Sequence, residues 1–211
     1  MSISKDDFDM LSSDMEGRIV HDDTLISRKD NEQLSEEEYY QNGQKRYLGN
    51  YLNGKREGRW VWWYEDGQKS YERNYANGML NGFNARWYED GQKSYERNYA
   101  NGKLVGRWTS WYKDGQKMSE FHYIAIAWDG PHTLTCRHGP WTFWNADGQK
   151  RYIENYVWGV WEGHCIRWHK NGQKKQEGNF KNGRKEGLWT FWNTDGKVIK
   201  SKTYKNGGIV K

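Results

Sequence analysis

The sequence predicts an all-β fold: an elongated, single-layer antiparallel β-meander of about seven tandem 24-residue hairpin repeats. Three observations predict it. A turn signal recurs at a fixed interval, each interval holds two such signals, and tyrosines alternate with polar residues between them.

The interval organises the chain. EDGQKSYERNYANG occurs twice without a difference, at Glu65–Gly78 and Glu89–Gly102. The glycine of Asp/Asn-Gly-Gln-Lys stands at Gly43, Gly67, Gly91, Gly115, Gly148 and Gly172, with a decayed Asp-Gly-Lys copy at Gly196. The steps are 24 residues except for one of 33, from Gly115 to Gly148. A second glycine follows 11 residues after each of these except Gly115, at Gly54, Gly78, Gly102, Gly159, Gly183 and Gly207. Arrays of this kind lengthen by copying a unit, because each unit touches only its neighbours. The identical copies have the look of a recent duplication.

The turns come next. A type I′ turn needs positive φ at both central residues, which Asn-Gly and Asp-Gly supply. The expectation is therefore two type I′ turns per unit and roughly fourteen strands. Sustained 3.6-residue apolar spacing is missing and glycine recurs too often for helix.

The strands follow. Tyr47 and Tyr51, Tyr71 and Tyr75, Tyr95 and Tyr99, and Tyr152 and Tyr156 share one parity, with Glu72 and Asn74 on the other. One face is then aromatic and the other wet. The second strand of each unit carries Trp63, Trp87, Trp111, Trp144, Trp168 and Trp192 at one position, and Trp60, Trp108, Trp141 and Trp189 three residues earlier. A spacing of three places the two rows on opposite faces unless a bulge restores parity, and the sequence leaves both open.

Composition agrees with a thin sheet. Aromatic residues make up 17% of the chain while mean hydropathy is −1.22, so amphipathic rings carry the apolar area in place of aliphatic side chains. No apolar run approaches the ~20 residues of a membrane span. The N-terminus lacks a secretory apolar region, so the expected location is cytoplasmic. Two cysteines, Cys136 and Cys165, imply no disulfide framework.

Charge divides the chain. Residues 1–38 hold 4 basic and 12 acidic side chains, and residues 39–211 hold 29 and 16. The organisation read from this is an acidic N-terminal arm at 1–33, disordered or loosely docked, and a repeat domain at 34–211 with an irregular expanded unit at 116–147. The arm is expected to shield the basic units.

The runs Tyr64-Glu-Asp-Gly-Gln-Lys-Ser-Tyr71, Asn74-Tyr75-Ala-Asn-Gly78 and Gly106-Arg-Trp-Thr-Ser-Trp-Tyr112 resemble the MORN repeat family. More closely they resemble the MORN variant found in tandem in bacterial proteins of the YwqK antitoxin type. The resemblance covers Leu34 to the C-terminus and breaks at 116–147. It implies a non-enzymatic antitoxin or immunity-like protein whose partner is a cognate toxin. The older MORN reading implies attachment to anionic membrane.

Catalytic motifs are missing: there is no Gly-x-Ser-x-Gly, P-loop, His-Glu-x-x-His or Cys-x-x-Cys. No enzyme activity, small-molecule substrate, cofactor or metal is expected. His132, Cys136 and His138 lie in one unit and His164, Cys165 and His169 in the next. Equivalent strands of successive units stand roughly 9.6 Å apart, too far to share a zinc ion.

The partner-binding candidates are the rings and interspersed arginines of an extended trough: Trp63, Tyr71, Arg73, Trp87, Tyr95, Arg97, Arg107, Trp111, Trp144, Trp168 and Trp192. Such residues dominate the energetics of protein interfaces. They could also stack the bases of single-stranded nucleic acid, but a protein is the preferred partner. The alternative is an anionic membrane surface met by Lys150, Lys174, Lys175 and Lys197 at the basic C-terminal end. A lysine follows the first turn of every unit, and Asp66, Asp90, Asp114 and Asp147 beside it are expected to neutralise much of that row.

Overall fold

The computed structural model describes residues 32–128 and 132–210. The acidic arm at 1–33 therefore lies almost wholly outside the described residues. What is described is one open antiparallel sheet of seventeen strands and no helix. The strands follow the chain as β1 (Gln33–Tyr39), β2 (Lys45–Leu52), β3 (Lys55–Trp63), β4 (Lys69–Ala76), β5 (Met79–Trp87) and β6 (Lys93–Ala100). Next come β7 (Lys103–Trp111), β8 (Lys117–Trp128), β9 (His132–Arg137), β10 (Gly139–Trp144) and β11 (Lys150–Val157). The last are β12 (Val160–Trp161), β13 (Gly163–Trp168), β14 (Lys174–Lys181), β15 (Arg184–Trp192), β16 (Val198–Lys205) and β17 (Gly208–Ile209).

The strand number exceeds the expected fourteen for local reasons. β1 adds a half-unit before the first turn. β9 and β10 both pair with β8, and β12 and β13 both pair with β11, so each pair is one strand broken near a glycine. The expanded unit is a lengthened hairpin: β8 has 12 residues where β6 has 8, and β9 runs back along its extra length.

Only one of the two turns is of type I′. Asn77 and Gly78 have φ of 52° and 81°, and Asn53, Asn101, Trp158, Asn182 and Asn206 repeat the pattern. The Asp-Gly turn is different. Gly67 alone has positive φ, its N–H donates to the Tyr64 carbonyl at 3.0 Å, and Tyr64 N–H donates to Gln68 O at 2.7 Å. That is a three-residue loop closed by a left-handed glycine and a bulge, with the ladder slipping between Trp62 and Trp63. Asp66 fixes it by accepting from Gln68 N–H at 2.9 Å. Asp90, Asp114 and Asp147 do the same in their units. The turn aspartates thus hold backbone, and among the described residues Lys69, Lys93 and Lys117 pair with glutamates in place of the aspartates expected.

Neighbouring units are stitched at both ends. The Tyr64 hydroxyl donates to Trp87 O at 2.7 Å, and Tyr40, Tyr88 and Tyr112 reach the next unit's Trp63, Trp111 and Trp144 in the same way. At the other end Glu57 accepts from Asn77 N–H at 2.8 Å, as Glu186 does from Asn206 at 2.7 Å.

Candidate functional site: two unlike faces of one sheet

Alternation along β3 decides which rings share a face: Trp60 and Trp62 lie on one side and Trp63 on the other. Cross-strand neighbours define one continuous row: Tyr47, Trp62, Tyr71, Arg86 and Tyr95. Beside it run Trp60, Arg73 and Asn84, and then Tyr75, Tyr99 and Tyr123. This is the ring face. Trp60 stacks with Trp62 at 5.7 Å, as expected of residues two apart.

The other tryptophan row lies on the opposite face. Lys69, Lys93, Lys117 and Lys174 hold Glu72, Glu96, Glu120 and Glu177 at 2.9, 2.7, 2.7 and 2.6 Å. The same ammonium groups cap the next unit's Trp87, Trp111, Trp144 and Trp192 at 4.8–5.7 Å. Glu72 pairs across strands with Val61 and Ala85, one residue out of phase with the ring face. The predicted binding set is therefore split. Tyr71, Arg73, Tyr95 and Arg97 come together on the ring face, while Trp63, Trp87, Trp111, Trp144, Trp168, Trp192 and Arg107 belong to the paired-charge face.

On that second face the charges are largely satisfied internally. Arg59 donates to Glu72 at 2.9 Å, and with Lys69 it holds the Glu72 carboxyl down at about 2. Two lysines of the row break the pattern. Lys150 has Ile153, and Lys197 has Lys200, three residues on, and neither forms an ion pair among the described residues.

The ring face is built from stacked cations. The Arg97 guanidinium lies 4.6, 5.3 and 5.4 Å from the Tyr95, Tyr99 and Trp108 rings. Arg73 lies 5.2 Å from Tyr71 and 5.6 Å from Trp62, and Arg86 lies 5.0 Å from Tyr71. Arg56 sits 4.6 Å over Trp60. β3 to β7 place these four guanidinium groups on this face, and Glu72 and Glu96 of the same strands on the opposite one. Stacking fixes each planar fork in place and leaves its edge available for a planar acceptor.

Three features of this face escaped sequence reading. Asn84 stands where the other units have Trp60, Trp108, Trp141 and Trp189; it is 1% exposed, between Arg73 and Arg97. Its sequence signal is the departure of one repeat from the rest. Cys165 takes the same position three units later, and burial pushes its thiol up to about 11, far from a reactive thiolate. Gly49 and Gly178 lie under the Trp60 and Trp189 rings, whose Nε1–H groups donate to Asn50 O and Asn179 O at 3.0 and 3.1 Å. Among the described residues no group of three His, Cys, Asp or Glu side chains is placed to hold a metal ion, and His164 faces Glu177 while His169 faces Trp192 O.

Comparison with known families places this geometry. A model described as the MORN repeat variant matches residues 33–53, 56–77, 104–125, 137–157, 161–182 and 185–206. The unmatched residues 78–103 form β5 and β6 on the same plan, with Asn84 replacing the interior tryptophan. No curated protein matches the chain. With six matched repeats spanning most of its length, the chain belongs to the MORN repeat variant family.

Proposed function

We propose that the protein is a non-enzymatic binding module that grips an acidic partner protein along the ring face of β3–β7. The observation that supports this most is the run of guanidinium groups ordered by stacking at Arg56, Arg86 and Arg97, with Arg73 between them, among half-buried rings. Preordered arginines and aromatic rings are the residues from which interface hot spots are made. An antitoxin-like role toward a cognate toxin rests on the resemblance of the tandem repeats alone.

The experiment is site-specific photocrosslinking in the native host from position 71 or 95, compared with position 87 on the opposite face. Crosslinks to one protein from 71 and 95, and weaker binding of that protein by Arg73→Glu/Arg97→Glu at an unchanged melting temperature, are the expected results. Crosslinks from 87 alone would move the binding surface to the paired-charge face.

A second reading is peripheral attachment to anionic membrane through Lys150, Lys174, Lys175 and Lys197. Lys150 and Lys197 lack the glutamate that neutralises most other lysines of the row, and Lys175, Arg151 and Lys170 line one shallow depression beside Trp168. Salt-sensitive pelleting with phosphatidylserine vesicles would support it.

A further inference from the structure

We propose that the protein associates head to tail with further copies of itself, β16 of one copy pairing antiparallel with β1 of the next so that the sheet continues across the junction. Strand type is the first support. β1 leads into the Asn42-Gly43-Gln44 turn as β3 leads into Asp66-Gly67-Gln68, so β1 is the second strand of a unit. β16 leaves the Asp195-Gly196-Lys197 turn as β4 leaves its own, so β16 is a first strand. The two edges of the sheet are complementary halves of one hairpin.

Register is the second support. The row of the ring face that starts at Glu38, opposite Tyr47, runs strand by strand through Trp62, Tyr71 and Tyr95 to Phe191 and ends at Lys200. Next to it Glu36 stands opposite Gly49 at one edge, and Lys202 opposite Trp189 at the other. Continuing the sheet in this register sets Glu38 of the next copy against Lys200 and Glu36 of the next copy against Lys202. Opposite charges directly across an antiparallel pair are favourable and like charges are not. Pairing β16 with β16 would oppose lysines, and β1 with β1 glutamates, so the edge charges select the mixed junction. Edge lysines ordinarily guard a sheet against extension; here the guard works against a like edge only.

Coverage is the third. β17 pairs with β16 only at Tyr204 and Lys205, and Val210 N–H reaches Thr203 O. The outer edge from Val198 to Lys202 has no strand partner among the described residues. Its apolar side chains stand open, Val198 at 58% and Ile199 at 66%, and so does Tyr39 of β1 at 50%. Glu36 and Glu38 already accept from Tyr47 and Arg46, and a carboxylate has capacity for a further donor. The junction is heterologous, so further copies add at both ends and its product is an open filament or a closed ring.

Sedimentation velocity of the full chain over a concentration series tests this. At low salt the weight-average sedimentation coefficient should rise with concentration. It should fall back in 1 M salt, where the screening length drops to ~3 Å. Lys200→Glu/Lys202→Glu and Glu36→Lys/Glu38→Lys should each abolish the rise, and an equimolar mixture of the two should restore it. A parent that stays monomeric throughout, or a Lys200→Glu/Lys202→Glu variant that associates like the parent, overturns the proposal. Should the β1 variant lose the parental melting curve, the β16 variant alone decides, since Lys200 and Lys202 lie outside the ion pairs of the described residues.

Discussion

Replacing Gly49 with alanine adds one methyl group to a strand and asks whether the interior tryptophans rest on bare backbone. The φ of Gly49 is not positive, so alanine brings no backbone strain there. Its Cβ, however, would fall within the Trp60 ring, on Cδ2, Cε2 and Cε3. That ring cannot retreat cheaply. It is 1% exposed, bonded through Nε1–H to Asn50 O, edge-on to Tyr51 at 5.1 Å and covered by Arg56 at 4.6 Å. Overpacking by a methylene costs ~1–3 kcal/mol where the core can adjust. If the ring is expelled, the loss approaches the ~3–5 kcal/mol of a tryptophan truncation. Gly49→Ala should therefore destabilise by on the order of 3 kcal/mol in urea denaturation followed by near-ultraviolet circular dichroism. Gly58→Ala is the comparator: its φ is +68° and nothing lies within 4 Å of a Cβ. It should lose only the ~1–2 kcal/mol of a left-handed residue. In Gly49→Ala/Trp60→Ala the methyl has no ring to meet, so the double variant should be no less stable than Trp60→Ala. A Gly49→Ala protein within ~0.5 kcal/mol of the parent would refute the wedged ring.

Two further predictions follow from local geometry. Gly78→Val forces a β-branched residue into a φ of 81° beside Asn77 at 52°, and should cost about 1–3 kcal/mol in the same denaturation assay. Glu72 gives a pH signature. Its folded pKa lies below its unfolded value of about 4.5, so its stabilisation is complete above that value and is lost as pH falls toward about 2. The shift corresponds to ~3 kcal/mol at most; screening at Arg59, whose side chain is 57% exposed, reduces this to on the order of 1 kcal/mol. Arg59→Met should raise the Glu72 pKa in an NMR titration and flatten the stability curve between about pH 4.5 and 2; an unmoved pKa would exclude Arg59 as its main cause.

Periodicity made the architecture legible because turn glycines and alternating tyrosines are local signals, each readable within a dozen residues. The type I′ geometry at Asn77-Gly78 was legible for the same reason. The Asp-Gly turn was not, because the same dipeptide serves a type I′ turn and a bulged three-residue loop. Which one forms depends on whether Tyr64 N–H finds the Gln68 carbonyl. The tryptophan rows keep the opposite faces that a spacing of three gives; what the slip changes is Lys69, which it brings onto the face of Glu72. Gly49 was illegible for another reason: a glycine in mid-strand reads as weakness until the ring that occupies its missing side chain is seen.

Alternation and the bulge together explain how a sheet one layer deep carries two kinds of surface. Alternation along β3 sets Trp62 on one side and Trp63 on the other, and the slip, an extra residue at Ser70 of β4, brings Lys69 onto the side of Glu72, three residues on. Trp63 and its equivalents thus stand on the charged side, where in four units a lysine covers the indole and a glutamate holds the lysine. That face is stabilised from within the chain and its charge is largely spent. The ring face has the opposite balance: its arginines are ordered by stacking on Tyr71, Tyr95 and Trp108, and ring contacts leave their charge intact. Stacking orders a cation without neutralising it, whereas an ion pair does both. An acidic surface arriving at β3–β7 would therefore meet positive charge already oriented. The same surface arriving at the opposite face would first have to displace Glu72, Glu96 or Glu120 from the lysines they hold.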